Sequence, residues 1–249
     1  MPENRHGVDA RARALVSQVE HIHRTSRIYR SSRAARAELR RTVGLAPDDP
    51  RARGAHRIVA PHLPFGADAA VERAFYAVAA MIAAQPRPGR GGGTAVTVDP
   101  APPVPGETGS DVRLGPRGLG SDQSAQPESE GRQQDRSHRR SALGPSFGVS
   151  LAKAVAAGLN EDATAARLQV LCRQSIRGLH RQVPRLAQQI RERDVEISWE
   201  RLLVDLADWG LSRDVVARWW LQDFYRTLHT INRRKSTPTD SEAQGDEQL

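Results

Sequence analysis

Apolar periodicity all but vanishes between residues 87 and 147, a stretch that opens on "RPGRGGGTAVTVDPAPPVPGETG" and includes "EGRQQDRSHRR". Pro, Gly, Ser, Gln and charged residues dominate it, and such a segment cannot bury enough surface to offset the entropy of ordering it. We read residues 87–147 as a disordered linker, within which "TAVTV" is the only strand-like alternation. About 60 flexible residues have a root-mean-square reach of roughly 40 Å, enough to join two bodies without fixing their geometry. The folded parts are then an N-terminal helical half over residues 20–86 and a C-terminal bundle over 148–235. Residues 1–19 read as a flexible N-terminus, and 236–249 as a disordered tail carrying Asp240, Glu242, Asp246 and Glu247.

Both halves have the period of helices. In "HIHRTSRIYRSSRAARAELRRTV", Ile28, Ser32, Ala35, Leu39 and Val43 fall on one side. "DAAVERAFYAVAAMIAA" repeats the pattern with Val71, Phe75, Val78 and Ile82 behind Asp68 as an N-cap. The intervening "GLAPDDPRARGAHRIVAPHLPFG" reads as a loop. The second half holds four helical stretches, "SLAKAVAAGL", "EDATAARLQVLCRQSIRGLHRQVPRLAQQIRERD", "SWERLLVDLADW" and "RDVVARWWLQDFYRTLHTI". Asn160, Ser198 and Ser212 stand where N-caps belong. The expected fold is all-α, two helical-bundle halves joined by the linker.

The chain carries a net charge of +8, which favours polyanionic partners. Residues 1–90 hold 16 Arg against 8 acids and 149–236 hold 15 Lys/Arg against 10, whereas residues 91–148 and the tail carry no excess of positive charge. The single cysteine, Cys172, excludes an internal disulfide framework and a Cys-based zinc knuckle. No signal-peptide core is visible and no apolar run approaches the ~20 residues of a membrane span. A soluble, cytoplasmic protein without membrane contact or cofactor is the expectation.

Position matters more than number for the arginines. At 100° per residue Arg27, Arg30, Arg33, Arg40 and Arg41 lie opposite the apolar side of the first helix, and Arg36 flanks the seam. An ordinary solvated face mixes charges that pair at i,i+4; here like meets like, at a cost of a few tenths of a kcal/mol per pair, so an anionic partner is implied. In the second half Leu168, Leu171, Ser175, Leu179, Val183, Leu186 and Ile190 make an apolar stripe. Arg173, Arg177, Arg181 and Arg185 form a ladder beside it, with Arg167 near in angle. Pro184 interrupts that ladder and is expected to turn Arg185 away.

Other features favour plain packing. Trp199, Trp209, Trp219, Trp220, Phe224 and Tyr225 are able to stack on bases, but their helical spacing among leucines reads as core. Cys172 reads as a buried inert thiol. His21 and His23 face apart on a helix, so no metal site is assigned. "LADWGLSRDVVARWW" imitates a helix-turn-helix, and a transcription regulator built on residues 199–220 is the alternative function. Its spacing is poor, with Leu206 four residues before Gly210, and its second helix carries apparent core residues. Glu200, Asp205 and Asp208 suggest a magnesium nuclease only weakly, since acids on amphipathic helices are usually solvated.

Taken in order, "SLAKAVAAGL", "ARLQVLCRQSIRGLHRQVPRL", "VEISWERLLVDLADW" and "RDVVARWWLQDFYR", with "AARAELRRTVG" and "VAPHLPFGADAAVERAFYAVAAMIAAQP" before them, resemble the CasB family. This is the small subunit of the type I-E CRISPR surveillance complex, Cascade. The resemblance covers most of residues 20–86 and 147–230, and the long central insertion departs from it. It implies a non-catalytic helical protein in antiviral defence, present as two copies in a ribonucleoprotein with larger subunits. It also implies contact with guide RNA, target DNA and the displaced single non-target strand. The family's basic positions fall on Arg40, Arg41, Lys153, Arg167, Arg173 and Arg181.

Overall fold

The computed structural model describes residues 3–86, 140 and 142–236. They form eight α-helices and no strand: α1 (Glu3–Thr25), α2 (Arg30–Arg40), α3 (Arg53–Val59), α4 (Ala69–Ala84), α5 (Phe147–Ala156), α6 (Glu161–Cys172), α7 (Ile176–Arg191) and α8 (Trp199–Ser236). The all-α expectation is met. Most of the expected linker, the "TAVTV" stretch and the acidic tail from 237 onward lie outside the described residues.

Composition explains why α4 is central. Residues Ala74–Ala83 are buried without interruption, and a helix apolar all round is stable only when neighbours cover every face. α1, α2, α7 and α8 pack against it. The two halves therefore share one core, running from Leu15 and Val19 through Phe75 and Val78 to Phe147, Trp209, Trp220 and Phe224.

Caps set most boundaries. Asp68 accepts from the Ala70 and Val71 amides at 2.9 and 2.8 Å, and Asn160 accepts from the Ala163 amide at 2.8 Å. Ser198 Oγ accepts from the Arg201 amide at 3.3 Å. Ser212 is a non-helical residue (φ −143°, ψ 39°) at a kink where two helices join, in the position expected of a residue preceding a new helix, and it divides α8 into a first and a second arm.

Several expectations are corrected. Residues 3–19, expected to be part of a loose N-terminus, belong to α1, where Ala12, Leu15, Val16 and Val19 are buried. The region read as a loop contains α3, flanked by 3-10 turns and burying Ala55, Ile58 and Val59. The helix drawn through residues 21–43 breaks between Thr25 and Arg30, which leaves Ile28 73% exposed instead of on the apolar seam. The second long helix breaks after Cys172, because Ser175 adopts an extended conformation and accepts from the Gly178 amide to start α7. The indole Nε1 of Trp209 donates to the Gln174 carbonyl that the break frees. Finally, residues 140 and 142–146 do not belong to a linker: Arg140 and Leu143 are buried, and Ser146 caps α5 while donating to Asp223 at 2.6 Å.

One contact between α5 and α8 is backbone to backbone. Gly148 on α5 sits against Trp220 on α8, where a Cβ would collide with the Trp220 carbonyl. Neither helix backbone yields as a flexible side chain does, so Gly148→Ala is expected to cost about 1–3 kcal/mol or more. Chemical denaturation checks this; a loss below about 0.5 kcal/mol would show that α5 shifts freely. Gly54→Ala provides the contrast, since the obstacle there is the flexible Glu38 side chain.

Candidate nucleic-acid interface

All ten cations expected to meet nucleic acid are exposed, and they fall on two ridges and one separate helix. The first ridge is the α1–α2 corner with α2. Counted at 100° per residue, Arg30, Arg33, Arg40 and Arg41 share an arc of about 100°. Leu39 lies opposite, and Arg36 lies toward the seam and is buried. The Arg36 Nε donates to His23 Nδ1 at 3.2 Å and its terminal nitrogen donates to the Gln85 carbonyl at 2.8 Å, which ties α1, α2 and the end of α4 together. The first ridge thus loses one arginine to the fold.

Local chemistry sorts the rest. Arg33 folds back on the carbonyls of Ser26 and Arg27, at 3.5 and 3.4 Å, and so holds the turn between α1 and α2. Arg41 pairs with Glu38 at 3.2 Å. Arg27, Arg30 and Arg40 form no ion pair among the described residues. Arg30 opens α2 with no acid in the first turn and no side-chain cap, so its charge adds to the positive end of the helix dipole. Between Arg27 and Arg30 stand Ile28 and Tyr29, the latter 57% exposed. Extending one helix through this region hid that pair; a boundary at Thr25 would have exposed it.

The second ridge is carried by α6 and α7. The expected single ladder is divided, since Arg173 is the C-cap of α6 while Arg177, Arg181 and Arg185 are on α7. At the C-terminal end of α6 a guanidinium suits the dipole, so Arg173 also serves its own helix. Helix α7 continues through Pro184, and Arg185 remains exposed in the row, contrary to the expected deflection. Buried His180 and exposed Arg181 are adjacent, which settles that Arg181 faces outward. Arg167 donates to Gln189 at 3.2 Å and links α6 to α7. Arg173, Arg177, Arg181 and the separate Lys153 on α5 form no ion pair among the described residues. The first ridge rests on α1, α3 and α4, and α6 packs on α5, α7 and α8.

The competing sites dissolve into structure. Asp205 is fully buried and accepts from Arg201 Nε at 3.1 and 3.2 Å and from Trp220 Nε1 at 2.7 Å. Arg140 Nε lies 3.6 Å from Asp205, its terminal nitrogen bonds Asp208, and its guanidinium covers the Trp219 ring at 4.0 Å. These two carboxylates are engaged by arginines. In the stretch resembling a recognition helix, Val216 and Trp220 are buried in the core, as their spacing among apolar residues led one to expect. Cys172 is buried, donates to the Ala217 carbonyl at 3.7 Å, and has its thiol pushed up to about 12 by burial, as expected of an inert thiol. His23 is engaged by Arg36. No helix among the described residues is long and apolar enough to cross a membrane.

The family model described as CRISPR-associated protein Cse2 matches residues 35–225. Two solved chains are each 40% identical, with a TM-score of 0.64, covering 92% of this chain and 99% of their own. One is titled "CRISPR RNA-guided surveillance complex" and the other "CRISPR RNA-guided surveillance complex, pre-nicking". No curated protein matches.

Proposed function

This chain belongs to the Cse2 family, also called CasB, the small subunit of type I-E Cascade, and from that premise we propose that its arginine ridges grip nucleic-acid backbone to hold the R-loop open. The observation that carries the proposal is the set of exposed cations without ion-pair partners among the described residues: Arg27, Arg30, Arg40, Lys153, Arg173, Arg177 and Arg181. Their mutual repulsion is a cost in the free protein that phosphates relieve. Exchange of a DNA duplex for a guide-RNA heteroduplex is nearly balanced in pairing energy, so contacts to backbone decide whether the open state persists. Binding of this kind is electrostatic, tolerant of sequence and strongly salt-dependent. The partners are guide RNA with target DNA, the displaced strand, other Cascade subunits and a second copy of this chain, in the cytoplasm and without a catalytic step.

The test is the salt dependence of R-loop stability in the assembled complex. Each of Arg30→Ala, Arg40→Ala and Arg177→Ala should flatten the slope of log K against log salt by about 0.7–0.9 for every phosphate left without its cation. Arg33→Ala should act mainly on stability, because that side chain is spent on the α1–α2 turn. Unchanged slopes with the complex intact would remove these residues from the interface.

A further inference from the structure

Between α6 and the second arm of α8 lies a cleft of about 510 Å³, inside the range of about 300–1,000 Å³ typical of small-ligand sites. Its floor is apolar, from Cys172, Ala217, Leu221 and the ring of Tyr225, and Arg173 and Arg218 stand on its rim. Neither arginine has an ion-pair partner among the described residues, and the acid on the rim, Asp214, is bound to Arg213 at 3.0 Å. Tyr225 is 45% exposed although it packs edge-on against buried Phe224, with ring centroids 5.2 Å apart. The amide of Gln169 donates to its hydroxyl at 2.9 Å, fixing the ring from across the cleft.

An oriented aromatic ring at an apolar floor, flanked by two uncommitted guanidinium groups, has the chemistry of a base-stacking seat beside a phosphate clamp. A purely apolar peptide would leave both cations unused, and an acidic one would leave the ring unused. We infer that this cleft takes one unpaired nucleotide of a single strand, its base against Tyr225 and its flanking phosphates on Arg173 and Arg218. The inference rests on the backbone-binding reading and adds to it a contact that requires a base. It is tolerant of sequence, since every base has a π-face.

The test titrates the full-length protein with a fluorescein-labelled oligothymidylate of about 20 nucleotides and with an abasic strand of equal length and charge. The base-bearing strand should bind about tenfold tighter. Tyr225→Ala should abolish that preference and leave the salt slope alone, while Tyr225→Phe should keep it. Arg218→Ala should flatten the slope by about 0.7 on either strand. Equal binding of both strands by the unaltered protein, with a steep salt slope, would overturn the seat and leave the backbone reading standing. No salt-dependent binding to either strand would overturn both. Loss of self-association in Tyr225→Ala, with strand preference intact, would assign the cleft to a second copy of the chain and overturn the inference. Thermal unfolding of each variant guards against misfolding, and Tyr225→Phe and Arg218→Ala alter only groups at the surface of the cleft.

Discussion

Asp205→Ala should lower the free energy of unfolding by about 3–5 kcal/mol, the usual loss when one partner leaves a buried ion pair. The carboxylate is fully buried and meets Arg201, Arg140 and the indole of Trp220 at once. Without it, Arg201 still donates to the Arg140 carbonyl at 2.9 Å, but an uncompensated charge remains in the core. Denaturant titration reads the loss directly. The paired replacement Asp205→Leu with Arg201→Met should recover much of it, since apolar substitutes for a whole ion pair are often neutral. Asp208→Ala should cost less, because that carboxylate is partly exposed and water can take over part of its role toward Arg140. A loss below about 1 kcal/mol for Asp205→Ala would mean that the network contributes little to the fold.

His180 should make the protein sensitive to mild acid. The side chain is 3% exposed, and neither ring nitrogen has a hydrogen-bond partner among the described residues. Burial, and secondarily the charge of Arg73 on α4, push its pKa from 6.5 down to about 4. An unfolded chain takes up this proton below about pH 6.5, whereas the folded chain refuses it until about pH 4. Protons therefore favour the unfolded state throughout that interval, and stability falls as pH drops from about 6.5 to 4, then levels off for this group. At ~1.36 kcal/mol per pH unit the loss reaches at most about 3 kcal/mol. His180→Leu should flatten this part of the profile. It should also raise stability near neutral pH, by removing two buried polar nitrogens in exchange for apolar contact. Unfolding midpoints at pH 7 and pH 5 check both, and parallel acid losses in the two proteins would exonerate the histidine.

Both results depend on residues whose roles were hidden along the chain. Arg36 looked like the edge of a solvated stripe because its partners, His23 and the Gln85 carbonyl, lie 13 and 49 positions away. Asp208 looked like a candidate metal ligand because Arg140, 68 positions earlier, sits at the end of a stretch that reads as linker. Breaks within helices were hidden for another reason. Leu171, Ser175 and Leu179 keep an i,i+4 interval across the α6–α7 junction, so periodicity carries over it, and only the Ser175 cap marks the new start. Ile28 misled in the same way. α3 escaped notice because seven residues among Pro, Gly and Asp give less than two full turns of periodicity.

The chain by itself determined the helical class, the caps at Asp68, Asn160 and Ser198, the positive excess of the ordered halves and the outward side of α2 and α7. These follow from spacing and residue type over a few turns, where the backbone repeat alone sets direction. Tertiary structure decided which arginines turn inward to serve the core and which remain exposed. It also made the cleft in which Arg173 meets Tyr225 and Arg218. Those outcomes need segments tens of residues apart to touch, and burial, which sets the cost of every unpaired charge, exists only once they do.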